Sequence, residues 1–197
     1  MAASQRRAQL IAAAQRLFAL RGYESTTMEE IASAAGVTKP LLYQHFTSKR
    51  TLYLEIVEQI CQEVLTALRP SGSGARGRIY SAFTSYFELL ASHEDAFQIL
   101  FSSHMPADSE VGDALRQMES SIISAIAGRM PESLPADQRR LLAHALVGMG
   151  EGGSRFWMER RGDLAGSPAP RAKSELHSIA QRLAGLAWEG LRAVAQD

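Results

Sequence analysis

Apolar and polar residues alternate with a helical repeat along nearly all of the chain. Near the start, Leu10, Ala14 and Phe18 recur at the four-residue spacing that places them on one face of a helix. This helix is predicted over residues 4–20, and Gly22 follows as the residue that ends it. No stretch shows the strict alternation between turn residues that a strand requires. The pattern therefore predicts an all-α protein.

Two short helices are predicted after the first one. The spacing of Thr27 and Glu30 fits a capping box, in which each residue satisfies a free backbone donor of the other. Gly36 supplies the backbone freedom for a tight turn. Thr38 is then expected to cap a third helix of about two turns, with Pro40 in its first turn, where the missing N–H costs little.

Longer helical patterns occupy the rest of the chain and bring the predicted total to about nine helices. They are predicted at residues 48–68, 76–91, 94–103, 109–129, 136–160 and 172–195. The segment SGSGARG, residues 71–77, is the clearest break in the pattern. We expect two domains, the first over residues 1–50 and a C-terminal domain over residues 51–197.

A helix-turn-helix is the motif that the first three helices predict. Two short helices joined at a glycine and preceded by a longer helix have this arrangement, and the second short helix can enter the DNA major groove. The residues expected to hold the helices together are Ile31, Ala32, Ala35, Val37 and Leu42. The residues expected to project towards DNA are Thr38, Lys39, Leu41, Tyr43, Gln44 and His45. Gln44 offers a paired donor and acceptor to base edges, and Leu41 can touch a thymine methyl group. The alternative is an ordinary solvated face, with Phe46 packed inward.

Charge is distributed unevenly between the two ends of the chain. The 21 basic and 21 acidic residues give a net charge of zero, but residues 1–50 hold seven bases against three acids, a net of +4. The remainder holds 14 bases and 18 acids, a net of −4. This asymmetry is expected when one end of a protein meets nucleic acid.

The segment TMEEIASAAGVTKPLLYQHFTSKRTLY, residues 27–53, resembles the DNA-binding segment of tetracycline-repressor-type (TetR) transcription regulators. The resemblance implies an all-helical homodimer in which the C-terminal domain binds a small molecule that alters operator affinity, usually as a repressor. It also implies DNA contacts by Thr27, Thr38, Tyr43, His45 and Lys49. Pro40-Leu41 departs from the family pattern, where a small residue such as glycine is commoner, so the preferred base sequence cannot be carried over.

A homodimer is also expected on physical grounds, because a two-turn helix reads only a few base pairs and two copies are needed to read a palindrome. The last two helices are the predicted interface. On the final helix the apolar stripe consists of Leu176, Ile179, Leu183, Leu186, Leu191 and Val194, and part of it must face its own core. On the preceding helix the corresponding residues are Leu141, Leu142, Ala145, Met149 and Trp157.

An effector site is predicted between helices of the C-terminal domain. Its candidate lining is aromatic and flexible apolar: Phe83, Phe87, Phe97, Phe101, Met105, Met118, Ile122 and Trp157. Residues 79–115 contain six acids and no Lys or Arg, so an anionic ligand would need a counter-charge from elsewhere. Residues 146–158 are weakly similar to regulators of lipid metabolism that sense long fatty-acyl molecules. We therefore expect an apolar, elongated or aromatic ligand.

Two other classes of function are weighed against DNA binding. An enzyme is the first, because GMGEGG at residues 148–153 fits a dinucleotide-binding fingerprint. That motif works only after a β-strand, whereas the preceding DQRRLLAHALV is helical, so we expect glycines that let helices approach closely. No phosphate-binding loop or nucleophile elbow occurs, and the five histidines lack metal-ligand spacing, so neither a cofactor nor a metal is expected. The second alternative is a helical protein-interaction module that never touches DNA.

The expected location is the cytoplasm. No 18 consecutive apolar residues occur, and the apolar residues of the N-terminal stretch are interrupted by Arg and Gln, unlike a signal peptide. The single cysteine, Cys61, suits a reducing compartment and is expected to be a buried helical residue.

Overall fold

The computed structural model describes residues 3–69, 71–100, 107–163 and 169–194, and these form nine helices and no strand. The helices are α1 (Ala3–Arg21), α2 (Met28–Ala34), α3 (Lys39–His45), α4 (Lys49–Ala67), α5 (Gly74–Ser92), α6 (Glu94–Leu100), α7 (Ser109–Ala127), α8 (Ala136–Asp163) and α9 (Ala169–Val194). The predicted all-α fold is confirmed. Within these ranges no helix is both long enough and apolar enough to cross a membrane.

The contacts along the chain group it into two compact units. The first unit holds residues 1–61 and 93–118, and the second holds residues 62–92 and 119–197. Helices α4 and α7 each contribute residues to both units. The division of function between residues 1–50 and 51–197 stays a prediction.

Local signals around the turn between α2 and α3 act largely as predicted. Both hydrogen bonds of the capping box between Thr27 and Glu30 are present. Gly36 has a φ of +64°, in the left-handed region that glycine adopts without strain. Thr38 occupies the N-cap position of α3, as predicted, but its side chain makes no cap hydrogen bond.

The reason lies in the residues that follow Thr38. An N-cap side chain normally accepts a hydrogen bond from the second or third residue of the helix. The second residue is Pro40, which has no N–H, and the N–H of the third, Leu41, donates to the Thr38 carbonyl at 3.1 Å. No donor is therefore left for the hydroxyl to accept from.

The core of the first unit joins α1, α4 and the α1–α2 turn. The rings of Phe18, Tyr23 and Tyr53 cluster with centroids 4.8–6.0 Å apart. Burial raises the pKa of Tyr53 to about 12. Other fully buried side chains of this unit are Leu10, Ile31, Leu42, Phe46, Leu52 and Ile56, and α6 packs on α1. Cys61 is also buried, as predicted.

The second unit is built on α5, α8 and α9, and one glycine of α8 fixes how closely they pack. A Cβ at Gly153 would lie 2.5 Å from Leu183 Cδ1 on α9 and 2.7 Å from Phe87 Cζ on α5. At Gly150 a Cβ would make only ordinary contact with Tyr86. The expectation that glycines of the GMGEGG segment allow close helix approach is confirmed at Gly153. At Gly148 and Gly152 a Cβ would meet no described atom of the same chain within 4 Å, so these two glycines are not needed for helix packing within one copy.

A buried polar contact connects α5 to α8 beside these glycines. The Tyr86 hydroxyl lies 3.0 Å from Ser154 Oγ, which also donates to the Gly150 carbonyl at 2.8 Å. Burial raises the pKa of Tyr86. Because each hydroxyl has a partner, the pair can remain inside an otherwise apolar interface.

Candidate nucleic-acid interface

Helix α3 presents polar side chains on one surface while the opposite surface is anchored in the core. Leu42 is fully buried, and Phe46 follows the helix as a second buried anchor. The surface, which we name the recognition row, consists of Thr38, Lys39, Leu41, Tyr43, Gln44 and His45. Of these, Leu41 and His45 are half-buried and the others are exposed, Tyr43 by 43%. The recognition row is therefore accessible, and the buried Leu42 and Phe46 hold the helix in place.

The chemistry of the recognition row matches what DNA offers. The Thr38 hydroxyl accepts no cap hydrogen bond, and its O–H can donate to a phosphate oxygen. The Lys39 ammonium pairs with Glu29 on α2, and this hydrogen bond raises the pKa of Lys39. Exposed ion pairs of this kind contribute little to stability because water screens both charges, so Lys39 can exchange the carboxylate for a phosphate.

Thr27, predicted to contact DNA, is exposed at the start of α2 and takes part in the capping box. Its hydroxyl accepts from the Glu30 N–H at 3.2 Å and lies 2.8 Å from Glu30 Oε2. Hydrogen bonding from the Thr27 backbone lowers the pKa of Glu30. The hydroxyl of Thr27 is therefore already engaged within its own helix end.

Lys49, another predicted contact, is half-buried at the start of α4. Its ammonium donates to the backbone carbonyls of Tyr23 at 2.8 Å and Glu24 at 3.3 Å, and it lies 4.4 Å from the centroid of the Tyr23 ring. An ammonium group has three donors, and these two carbonyls occupy two of them. One donor remains for a phosphate.

Most of the basic residues counted in residues 1–50 form ion pairs with acidic side chains in the folded structure. The pairs are Arg7 with Glu55, Arg21 with Glu30, Lys39 with Glu29, and Arg50 with both Asp108 and Glu110. Two of these bases find partners beyond residue 50, so the net charge of the N-terminal segment alone overstates the field near the recognition row. These acidic partners are distant in the sequence, so a count of charges over residues 1–50 does not include them.

Asp108 is a residue that the sequence analysis did not single out. One carboxylate oxygen accepts from the N–H groups of Glu110 at 3.1 Å and Val111 at 3.3 Å, which caps α7. The other accepts from Arg50 Nε at 2.8 Å and lies 3.4 Å from the Tyr23 hydroxyl. The hydrogen bond from Arg50 lowers the pKa of Asp108. An aspartate just before a predicted helix signals the cap, but nothing local signals the partners from α4 and the α1–α2 turn.

The predicted effector residues are divided between the two units. Phe83 and Phe87 on α5 and Trp157 on α8 are buried in the second unit, where Ile122 is half-buried. Phe97, which is buried, and Met118, which is half-buried, belong to the first unit. Phe101 and Met105 lie outside the described residues. No group of three or more His, Cys, Asp or Glu side chains able to hold a metal occurs in the part of the chain that the structure describes.

Comparison with known families now identifies the class of protein. Residues 10–56 match the model of bacterial regulatory proteins of the tetR family. Residues 75–184, more than half of the chain, match the model of the tetracyclin repressor-like C-terminal domain. The chain belongs to the TetR family. It is a DNA-binding transcriptional regulator and not an enzyme, as predicted.

Individual TetR-family members resemble the chain over most of its length. The transcriptional activator FasR of Mycolicibacterium smegmatis is 28% identical over 159 residues, which cover 78% of this chain and 73% of FasR. The transcriptional repressor KstR2 of Rhodococcus jostii is 29% identical over 133 residues, 62% of this chain and 65% of KstR2.

Solved structures share the fold. A TetR-like regulator from Rhodococcus sp. RHA1 has a TM-score of 0.73 at 24% identity, covering 98% of each chain. The fatty acid degradation regulator FadR of Bacillus halodurans has a TM-score of 0.72 at 16% identity, covering 91% of this chain and 95% of that one.

Proposed function

We propose that this TetR-family protein is a homodimeric repressor that reads a palindromic operator with α3 and is released by an apolar small molecule. The observation that carries the proposal is the recognition row, which is accessible to DNA while Leu42 and Phe46 anchor the helix beneath it. Gln44 reads a base edge, Leu41 meets a thymine methyl group, and Thr38, Lys39 and Tyr43 contact phosphates or bases. The protein acts in the cytoplasm, where bacterial DNA is found.

An apolar row on α8 and α9 supports the dimer. On α8 the outward residues at spacings of three and four are Leu141, Ala145, Gly148, Gly152 and Phe156, and on α9 Leu186 and Gly190 are exposed. Leu141 is 67% and Leu186 66% exposed, a high cost for large apolar side chains in water. A second copy of the chain covers these residues in the dimer, because an interface between identical faces closes on itself. The open glycines allow two α8 helices to approach closely.

Not every residue of the predicted stripe is available for that interface. Trp157 is 2% and Leu176 4% exposed, so both belong to the core of their own unit. The proposed interface therefore rests on Leu141, Ala145 and Leu186, together with outward positions that the stripe did not include.

An apolar effector is favoured by the lining of the second unit. Phe83, Phe87 and Trp157 supply buried aromatic surface, and the Trp157 indole N–H has no hydrogen-bond partner among the residues that the structure describes. A buried donor without a partner costs about 1–3 kcal/mol, so a ligand acceptor placed there would gain that amount. We propose an elongated apolar molecule with one acceptor group. The fold shared with FadR, a fatty acid degradation regulator, agrees with that class of ligand.

Release requires the ligand to bind one conformation more tightly than another. Helices α4 and α7 each supply residues to both units, so a ligand that shifts either helix in the second unit also shifts the segment that continues into the first. In the proposed mechanism the two copies of α3 then lose the separation of roughly 34–36 Å that successive major grooves require.

Activation is the second candidate mode, because FasR is named an activator. A promoter fused to a reporter separates the two modes. Repression predicts that deleting the gene for this protein raises expression from a promoter that overlaps the operator, and activation predicts that the deletion lowers it.

Selection of tightly bound duplexes from a random pool tests the DNA-binding proposal. We expect a palindrome, with log Kd depending on log salt with a slope of about 0.9 for each phosphate contact. A chain that recovers no common sequence, or whose affinity does not change with salt, would refute the proposal.

A further inference from the structure

Arg7 on α1 makes three contacts, two at the C-terminal end of α3 and one on α4. Its Nη1 donates to the carbonyl oxygen of His45 at 3.0 Å, and its guanidinium carbon lies 4.3 Å from the centroid of the Phe46 ring. Its Nη2 pairs with Glu55 on α4. The planar fork of arginine allows stacking and two directed hydrogen bonds at once, which a lysine cannot reproduce.

Gln9, two residues later on α1, holds the C-cap of α2, at the start of the turn that leads into α3. Its Nε2 donates to the carbonyl oxygen of Ala35 at 2.9 Å, one residue before the Gly36 corner. Its Oε1 accepts from Arg6 Nη1 at 3.0 Å, which fixes the orientation of the amide. The two side chains therefore hold the backbone on both sides of α3.

Helix α3 needs such support because it has little of its own. It is seven residues long, and isolated helices shorter than about 12–15 residues are marginal in water. Its N-cap side chain makes no cap bond, and its final carbonyl groups have no partners within the helix. External hydrogen bonds to Ala35 and His45 thus restrict how the helix can tilt.

We propose that Arg7 and Gln9 are positioning residues that set the orientation of α3 for base recognition, and that Arg7 is not a phosphate contact. This inference rests on the proposed reading of DNA by α3. Arg7 is one of the seven bases that make residues 1–50 positive, so its charge alone would assign it to phosphate binding. The contacts with His45, Phe46 and Glu55 engage its guanidinium within the domain instead, although the side chain is half-buried.

The test compares Arg7→Gln, Arg7→Lys and Gln9→Ala in the full-length protein. Arg16→Gln is the matched control, because Arg16 is exposed on the same helix and the change removes the same charge. The wild-type protein first selects its operator from a random duplex pool. Each variant is then titrated with that operator and with a scrambled duplex of equal length at several salt concentrations, and thermal unfolding is followed by circular dichroism.

If Arg7 and Gln9 position α3, the variants should lose specificity for the operator while the number of phosphate contacts stays the same. We expect the ratio of operator to scrambled affinity to fall roughly tenfold in each Arg7 variant and in Gln9→Ala, as when one base contact is misplaced. The salt slope and the scrambled-duplex affinity should stay at the wild-type values. Arg7→Lys should fail to restore the ratio although it keeps the charge, and Arg16→Gln should retain it.

Other outcomes overturn the proposal. A salt slope reduced by about 0.9 in Arg7→Gln, restored in Arg7→Lys, with both affinities weakened, would make Arg7 a phosphate contact. A lower unfolding temperature with an unchanged affinity ratio would make both residues merely stabilising. If Arg7→Gln does not fold, the affinity ratios and salt slopes of Arg7→Lys and Gln9→Ala decide between these roles. A wild-type protein that recovers no operator would instead refute the proposed function itself, so the two failures are distinguishable.

Discussion

At the scale of single residues, Asp108 illustrates how one carboxylate can serve two elements. It caps α7 with one oxygen and accepts from Arg50 with the other. The depressed pKa means that the folded state favours the charged carboxylate. Its stabilising contribution is therefore complete above the ordinary pKa near 3.8 and is lost as the pH falls through the lower folded-state value.

Asp108→Asn is expected to reduce this acid sensitivity. Asparagine caps helices about as well as aspartate, so the substitution removes the charge and keeps the cap. The free energy of unfolding by urea should be lower in the variant than in the wild type at pH 7, and the difference should shrink below pH 4. A difference that stays constant from pH 7 to pH 3 would contradict the charge-based account. Asp113→Asn, which alters an exposed pair within α7, is the control.

Tyr43→Ala is expected to weaken specific operator binding and leave folding intact. The side chain is 43% exposed and lies in the recognition row, so its loss removes a DNA contact without opening a cavity. A good base or phosphate contact is worth roughly 1–3 kcal/mol, or about 5- to 150-fold in affinity. Operator titration measures the effect, and Leu20→Ala, at an exposed residue of α1, is the control. Unchanged affinity would remove Tyr43 from the interface.

At the scale of helices, α8 packs closely against α5 and α9 at Gly153, a residue without a side chain. The approach of Leu183 and Phe87 to Gly153 uses space that any other residue would fill. Alanine normally favours a helix by about 1 kcal/mol over glycine. At this position the overpacking penalty, typically about 1–3 kcal/mol, opposes that gain.

Gly153→Ala is therefore expected to lower the free energy of unfolding by up to about 2 kcal/mol, the overpacking cost less the gain in helix propensity. Gly77→Ala on α5 is the matched control, because its Cβ would make only ordinary contact at 3.6 Å. Urea unfolding at one protein concentration measures both variants. A Gly153→Ala protein as stable as the control would mean that Phe87 and Leu183 can move aside freely.

At the scale of the whole molecule, the apolar row on α8 and α9 is the surface that the proposed dimer would cover. Large exposed side chains at Leu141 and Leu186 are otherwise an aggregation hazard. A symmetric dimer removes that hazard and also presents two copies of α3 to one operator.

Leu186→Glu is expected to convert the proposed dimer into a monomer, because the interface would bury two unpaired carboxylates. Analytical ultracentrifugation should show halved mass, and operator affinity should fall because one α3 reads only half a palindrome. Leu20→Glu places the same charge at an exposed residue of the first unit and should remain dimeric. A Leu186→Glu dimer of wild-type affinity would place the interface elsewhere.

The sequence by itself determined the positions of the helices, the glycine corner, the capping box at Thr27 and the family, because periodicity and end signals are local properties. Only the tertiary structure decided which features interact over distance. Arg7 meets Glu55, Arg50 meets Asp108, and Gly153 faces Phe87 across gaps of tens of residues. Only the folded chain shows which residues of the predicted dimer stripe are buried and which are exposed. Burial depends on the residues that pack opposite, and no local sequence pattern encodes those neighbours.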